Sequence, residues 1–343
     1  MMNDSTAAAP VLVSVIVKAL NEEALIDACL RSIIAELEGL PGEIILADSV
    51  STDRTVDIAM RYPVEIVQFC SAADRGCGAA LQLGYQFARG RYLYVIDGDM
   101  VLLPGFLRHA LDYLERHPGA AGVGGLLQDA RLNTAADHAR AAHYGAIRRE
   151  HEVASLGGGG LYRRDAIEGV GYLANRWLPA CEEAELGARL LAAGWKLVRS
   201  PMPAVSHTGH EESTPQMLKR LWRNGRMQAY GMFLRGALGR PWFGHAARTC
   251  WFVFVAPLLH LGILAAALIA SQFVSNVIAV FPLLEFAAWS SVLLFLTWRK
   301  HSAGLAFTSV VAWHMYALAA ARGFVRAPAD PTQRIAARVL RAL

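Results

Sequence analysis

Acidic residues nearly vanish from the C-terminal part of this chain. No Asp or Glu lies between Glu212 and Glu285, and residues 213–343 hold 2 acids against 14 Lys and Arg. Residues 1–212 are the reverse, with 27 acids and 19 Lys and Arg. Basic residues beside apolar runs suit anionic lipid head groups. Those same apolar runs argue against nucleic acid as the partner of the basic region. Cysteine is also scarce. The five (Cys29, Cys70, Cys77, Cys181 and Cys250) form no Cys-x-x-Cys pair and no zinc spacing. An odd, scattered set excludes a disulfide scaffold and fits a reducing compartment. No basic segment precedes residues 11–17, and that run is too short for a signal sequence, so the first part of the chain is expected in the cytosol. Charged residues amount to only 18%, against 54% hydrophobic and a mean hydropathy of +0.30, so part of the chain is expected in lipid.

What is present falls into four stretches. Residues 1–212 alternate strand and helix patterns. Residues 11–17, 43–47, 64–69 and 92–96 read as strands. Residues 22–38, 55–61, 79–88 and the segment from Pro104 to near Pro118 read as helices. This βαβαβ order predicts an α/β, doubly wound, mostly parallel sheet, with ligands bound beyond the carboxyl ends of the strands. After the glycine run 157–160, a helix is predicted from Glu182 to about Ala193 and stopped by Gly194. A short strand follows at 196–198, and Pro201 and Pro203 read as loop.

Residues 213–248 interleave Leu218, Leu221, Trp222, Tyr230 and Phe233 with Lys219, Arg220, Arg223, Arg226 and Arg235. This pattern predicts helices lying in a membrane surface; the alternative is a basic face packed on the domain. Residues 249–321 hold three apolar segments, two of them clearly long enough to span. Glu285 lies inside the second and must face another helix or water. Residues 322–343 form a basic tail. The Arg299-Lys300-His301 loop and this tail should share the cytosolic side, which requires two spans and a re-entrant or interfacial third segment.

Polar residues at the strand ends are the candidates for chemistry. Asp97-Gly98-Asp99 follows the fourth strand, and two carboxylates so spaced can share Mg²⁺ or Mn²⁺ and bridge it to a diphosphate; an ordinary turn is the alternative. Asp48 ends the second strand and can accept from a base or ribose, while Asp53 suits a helix cap. Asn21, Glu22 and Glu23 follow the first strand at a helix start. Arg75, before Gly76-Cys77-Gly78, could meet phosphate. Glu182 and Glu183 open a helix and are candidate general bases, with a helix-dipole role as the alternative. His207 is a candidate metal ligand in a polar loop, where a surface histidine is the default.

Taken in order, these residues resemble family 2 glycosyltransferases of the GT-A fold. The resemblance rests on residues 14–23, Asp48 through Thr55, Asp97-Gly98-Asp99, Gly157 through Asp165, and Glu182 through Leu186 with Arg189-Leu190 and Gly194. It implies a Rossmann-like sheet followed by C-terminal transmembrane helices. It also implies a nucleotide-sugar, most often a UDP-sugar, contacted by Asn21, Glu23, Asp48, Arg75, Asp97, Gly98 and Asp99. Asp97, Asp99 and His207 would hold the metal. Gly159, Gly160 and Arg163 would face the acceptor, and Glu183 would be the base, with Glu182 as runner-up. Lys18 stands where the family usually has Pro, Val50 where Gly is common, and Glu183 where Asp is usual. The Gln-x-x-Arg-Trp signature of processive synthases is absent, which implies single-sugar transfer. The layout is similar to bacterial exopolysaccharide enzymes that extend a glycan on a polyprenyl-diphosphate lipid at the inner face of the cytoplasmic membrane. Transfer to polyprenyl phosphate itself, and a non-catalytic membrane scaffold, are the competing expectations.

Overall fold

The structure, a computed structural model, describes residues 10–209, 211–272 and 277–343. The chain divides into two compact units. The first comprises residues up to Glu211 together with Gly239–His245 and Ala329–Leu343, and the second comprises Glu212–Leu238 and Ala246–Pro328.

The first unit runs β1 (Val13–Ala19), α1 (Ile26–Leu37), β2 (Gly42–Asp48), α2 (Thr55–Ala59), β3 (Glu65–Phe69), α3 (Cys77–Tyr85), β4 (Tyr92–Asp97) and β5 (Met100–Leu102). It continues with α4 (Phe106–Arg116), β6 (Ala120–Asp129), α5 (Ala135–Gly145), β7 (His151–Glu152), β8 (Gly160–Arg163), α6 (Arg164–Gly169), α7 (Glu182–Ala192) and β9 (Lys196–His207). Strands β3, β2, β1 and β4 are parallel neighbours in that order. β1 carries the β-branched Val13, Val15, Ile16 and Val17 and is buried at every position but Lys18. The α1 stripe Ile26, Cys29, Leu30 and Ile33 has helical spacing and packs with Phe106 and Leu107 of α4 in one core. Leu81 and Leu83 of α3, Ile167 of α6 and Leu186 of α7 share a second core. The two cores lie on opposite faces of the strands: Val15 and Val17 of β1 belong to the first, Ile16 to the second.

Beyond β4 the sheet is mixed. β8 runs antiparallel to β4 and to β6, and β9 pairs parallel with β6 but antiparallel with β5 and β7. The parallel expectation thus describes the first four strands. β9 is far longer than the 196–198 segment expected, running to His207 through Pro201 and Pro203. The register shifts between Gly124 and Leu126, where Arg199 gives way to Pro203 as partner, and that bulge accommodates prolines that a regular ladder would reject.

The basic tail expected at 322–343 does not stand apart. β10 (Ala337–Arg341) pairs antiparallel with β3 at the edge of the sheet. Ile335 is buried in the second core, and its backbone N–H and C=O are both held by the Gln86 amide.

The second unit contains α8 (Thr214–Arg223), α9 (Ala229–Ala237) and three long helices, α11 (Val255–Ala270), α12 (Val277–Lys300) and α13 (Ala303–Phe324). The helix between α9 and α11, α10 (Phe243–Thr249), straddles the two units. All three stretches Trp251–Ala270, Val280–Lys300 and Ala303–Phe324 are helices long and apolar enough to cross a membrane. Glu285 meets a neighbouring helix, as its position requires: its carboxylate oxygens lie 2.8 and 3.0 Å from His260 Nδ1. The other ring nitrogen of His260 is 3.0 Å from His314 Nε2.

Candidate active site

The carboxyl ends of β2, β1 and β4 bring Asp48, Lys18 and Asp97 side by side, since Lys18 is in register with both Ala47 and Asp97. This is the edge at which open parallel sheets bind ligands.

Asp48 is fully buried. One carboxylate oxygen accepts from Ser51 N at 3.0 Å and from Gln68 Nε2 at 2.8 Å. The other is buried with no hydrogen-bond partner among the described residues. A buried acceptor left open at a ligand edge is suited to a donor on a bound molecule. The loops after β1 and β2 meet beside it. The Asn21 side chain accepts from Thr52 N at 2.8 Å, and Glu23 accepts from Arg54 N at 3.1 Å. Their polar atoms therefore lace the β1 and β2 loops together, where the sequence suggested direct ligand contact. Val50, at φ +58°, holds the left-handed conformation that makes Gly common there. Arg75 is exposed, with Nε donating to Ala72 O at 3.0 Å.

Gly98 fits because its backbone presses on β1. A Cβ there would lie 3.2 Å from both Lys18 O and Ala19 Cβ. Behind Gly98 the chain enters β5, whose Met100 is in register with His207 of β9. This pairing brings His207 Nε2 to 3.3 Å from Asp99 Oδ2. The opposite ring nitrogen is 3.0 Å from Asp129 Oδ1, and Arg140 grips the same Asp129 carboxylate at 2.7 and 2.9 Å. Asp99 hydrogen-bonding pushes the His207 pKa up to about 9 against the opposing effect of burial, with Asp129 adding to the rise. Glu22 is pushed up to about 7 by burial and by the negative charge of Asp99 and Asp97.

Crowding of acids at one strand end is what a divalent cation relieves, and hard carboxylate oxygens with one imidazole suit Mg²⁺ or Mn²⁺. Among the described residues no three His, Cys, Asp or Glu side chains form a cage for a metal by themselves. The residues therefore fit an ion that completes its shell with water and substrate phosphate.

Lys18 lies below this edge. Its Nζ is 3.0 Å from Asp97 Oδ1 and 3.0 Å from Glu182 Oε1. Burial lowers the Lys18 pKa, but Asp97 and Glu182 outweigh it and hold it well above its ordinary value. Glu182 is thus engaged in an ion pair. Glu183, one residue on, is raised to about 7, chiefly by burial, with Lys18 opposing and Glu182 and Asp97 adding to the rise. A Cβ on Gly157 would lie 3.4 Å from Glu183 Oε2, so the glycine run and the second glutamate share one wall. Gly159, at φ +93°, admits no side chain, because a Cβ would meet Val205 Cγ1 at 2.9 Å and Tyr94 Oη at 3.0 Å. Gly160 opens β8 beside Val95, near the same end.

Arg163 is elsewhere. It pairs with Tyr92, at the opposite end of β4 from Asp97. Its guanidinium is buried, donating to Ala120 O at 2.9 Å and to Leu114 O. It supports the fold and lies away from the Asp97 end of β4. By sequence Lys18 is a departure from the family pattern, Glu22 a residue at a helix start, and Asp129 lies outside every motif. One signal was present: Lys18 is the lone charge in the apolar run of β1.

Residues 14–168 match Glycosyl transferase family 2, and residues 92–321 match Glycosyl transferase family group 2. The chain belongs to this glycosyltransferase family. Together the two matches run from β1 through most of α13. Among similar proteins is the low-salt glycan biosynthesis hexosyltransferase Agl6 of Haloferax volcanii, 37% identical over 26% of this chain and 21% of that protein. Another is the succinoglycan biosynthesis protein ExoO of Rhizobium meliloti, 31% identical over 29% of each chain. The chain thus aligns with less than a third of either relative's length. The mannosyltransferase PcManGT of Pyrobaculum calidifontis, solved with GDP-Man and Mn²⁺, has the same fold at a TM-score of 0.59. It is 18% identical over 92% of this chain and 89% of its own.

Proposed function

We propose that this glycosyltransferase-family chain moves one sugar from a nucleotide-sugar, with Mg²⁺ or Mn²⁺, to a lipid-linked saccharide at the cytosolic face of the inner membrane. The observation that carries the reading is the convergence on one sheet edge of three separate chemical elements: an open buried acceptor at Asp48, the crowded Asp97, Asp99 and His207 group, and a raised carboxyl at Glu183. The names of the Haloferax and Rhizobium relatives, and the GDP-Man and Mn²⁺ of the Pyrobaculum enzyme, support glycan synthesis from such a donor.

Asp48 binds the base or ribose through its open oxygen. Asp99 and His207 would hold the metal, with Asp129, 3.0 Å from His207 Nδ1, fixing the orientation of the imidazole. When bound, the ion offsets the charge of the departing diphosphate. Asp97, tethered by Lys18, lines the sugar. Glu183 takes the proton of the acceptor hydroxyl as its oxygen attacks the anomeric carbon, and a single displacement inverts that centre. Glu182 is set aside from this role by its ion pair with Lys18.

The test is thermal-shift screening of the full-length protein with UDP- and GDP-sugars, with and without Mn²⁺. One donor should raise the melting temperature only with metal present, and Asp99→Asn should lose that shift while remaining folded. Failure of every donor to shift the protein would overturn the proposal.

A further inference from the structure

The pairing of β10 with β3 bears on how the chain meets the membrane. Residues before α8 and residues after α13 belong to one sheet, in register from Ala337 opposite Phe69 to Val339 opposite Val67. The join is extensive. Arg176 donates to Gln333 O at 3.1 Å and Arg334 O at 3.0 Å, Trp177 Nε1 donates to Asp330 O at 2.9 Å, and Arg341 donates to Met60 O and Tyr62 O at 2.7 and 2.8 Å. A water-soluble sheet cannot be divided by a bilayer, because its backbone groups must stay paired. A chain that leaves one side and returns to it crosses an even number of times. Three helices are long enough to cross, so at least one does not.

We infer that α11 and α12 form a two-crossing hairpin, and that α13 does not cross: its middle rests on that hairpin through His314, which meets His260 of α11 and Trp289 of α12, and its second half is clasped by α8 and α9 at the head-group layer. Three observations select α13. It is the least apolar of the three. Its second half packs on helices that carry charge: Ala319, Ala312, Met315 and Tyr316 meet Leu218, Met227, Leu221 and Trp222, while Arg322 lies over the Trp222 ring and Arg235 over Phe324. α8 and its continuation hold Lys219, Arg220, Arg223 and Arg226, which are costly in hydrocarbon, so whatever packs along them is held near the surface. The contact is also intimate. A Cβ on Gly231 would lie 1.8 Å from Ala320 O, and one on Gly323 would lie 2.1 Å from Gln228 O, so the two backbones touch. α11 and α12 carry no charge along the faces where Leu258, Leu268, Leu283, Phe286, Leu294 and Trp298 are exposed, a surface suited to acyl chains. The partner of the α8, α9 and α13 layer is then an anionic phospholipid surface.

The test labels the full-length protein with a membrane-impermeant maleimide in spheroplasts and in inverted vesicles, with labelled peptides read by mass spectrometry. Native Cys70, exposed on the sheet unit, reports its side. Gln272→Cys reports the α11–α12 junction, Ala303→Cys the α12–α13 junction, and Ala327→Cys the exit from α13. The expected result is labelling of Cys70 and positions 303 and 327 from one face and position 272 from the other. Position 327 opposite Cys70 would mean three crossings and would overturn the inference. All four on one face, or position 303 opposite Cys70, would overturn the hairpin assignment. The readout needs no sugar donor, so it stands or falls separately from the proposed activity.

Discussion

At the scale of single residues, the site is an arrangement of charges that must balance. Lys18 is the cation among Asp97, Glu182 and Glu183, and its position at the end of β1 explains why a lysine can replace proline there: the amine has two carboxylates to meet. Lys18→Met should remove the amine that both acids meet and lower stability by up to about 3–5 kcal/mol, the usual cost of removing one member of a buried pair. Lys18→Arg should recover most of that loss, as read by the melting temperature. With Glu183 as the proposed base, its pKa raised to about 7 predicts a pH dependence for transfer. A base works only when deprotonated, so turnover should fall about tenfold per pH unit below that value and level off above it. Glu183→Gln should reduce turnover by roughly 10²–10⁴-fold while donor binding persists. Glu182→Gln should act mainly through stability. A dead Glu182→Gln enzyme with normal melting, beside an active Glu183→Gln, would reverse the assignment of the base.

At the scale of elements, the parallel strands were readable because β-branched apolar runs alternate with amphipathic helices, and their ends fixed the places of Asp48 and Asp97. β6 and β8 were not readable. β6 is half glycine and alanine, and β8 is four residues long, so neither has enough pattern to mark a strand. β9 was cut short because prolines ordinarily end a strand, and only its bulge against β6 admits them. Arg163 was misplaced for a related reason. The motif fixes its distance in sequence from Gly160, but β8 then carries it to the far end of β4. The C-terminal strand makes a prediction at this scale. Ile335 is buried between the edge of the sheet and α3, so Ile335→Ala should cost about 2–5 kcal/mol and lower the melting temperature of the full-length protein. An unchanged melting temperature would mean that β10 contributes nothing to the sheet.

At the scale of the whole molecule, charge and hydropathy divide the chain as the structure does, except at residues 239–245 and at its end. The apolar exposure of α11 and α12 should keep the protein in the membrane pellet through about 1 M salt, where the Debye length shrinks to about 3 Å and purely electrostatic binding is lost. Release by salt alone would show that the basic helices, and no hydrocarbon-embedded span, hold the protein to lipid. The amino-acid order by itself determined the doubly wound start of the sheet, the strand-end carboxylates and the apolar helices, because each is a local pattern written in neighbouring residues. Only the tertiary structure decided that Lys18 ties up Glu182, that Asp129 backs His207, and that the final strand returns to the first sheet. Those three depend on partners 164, 78 and about 270 positions apart, and no local pattern in the chain encodes a meeting at that distance.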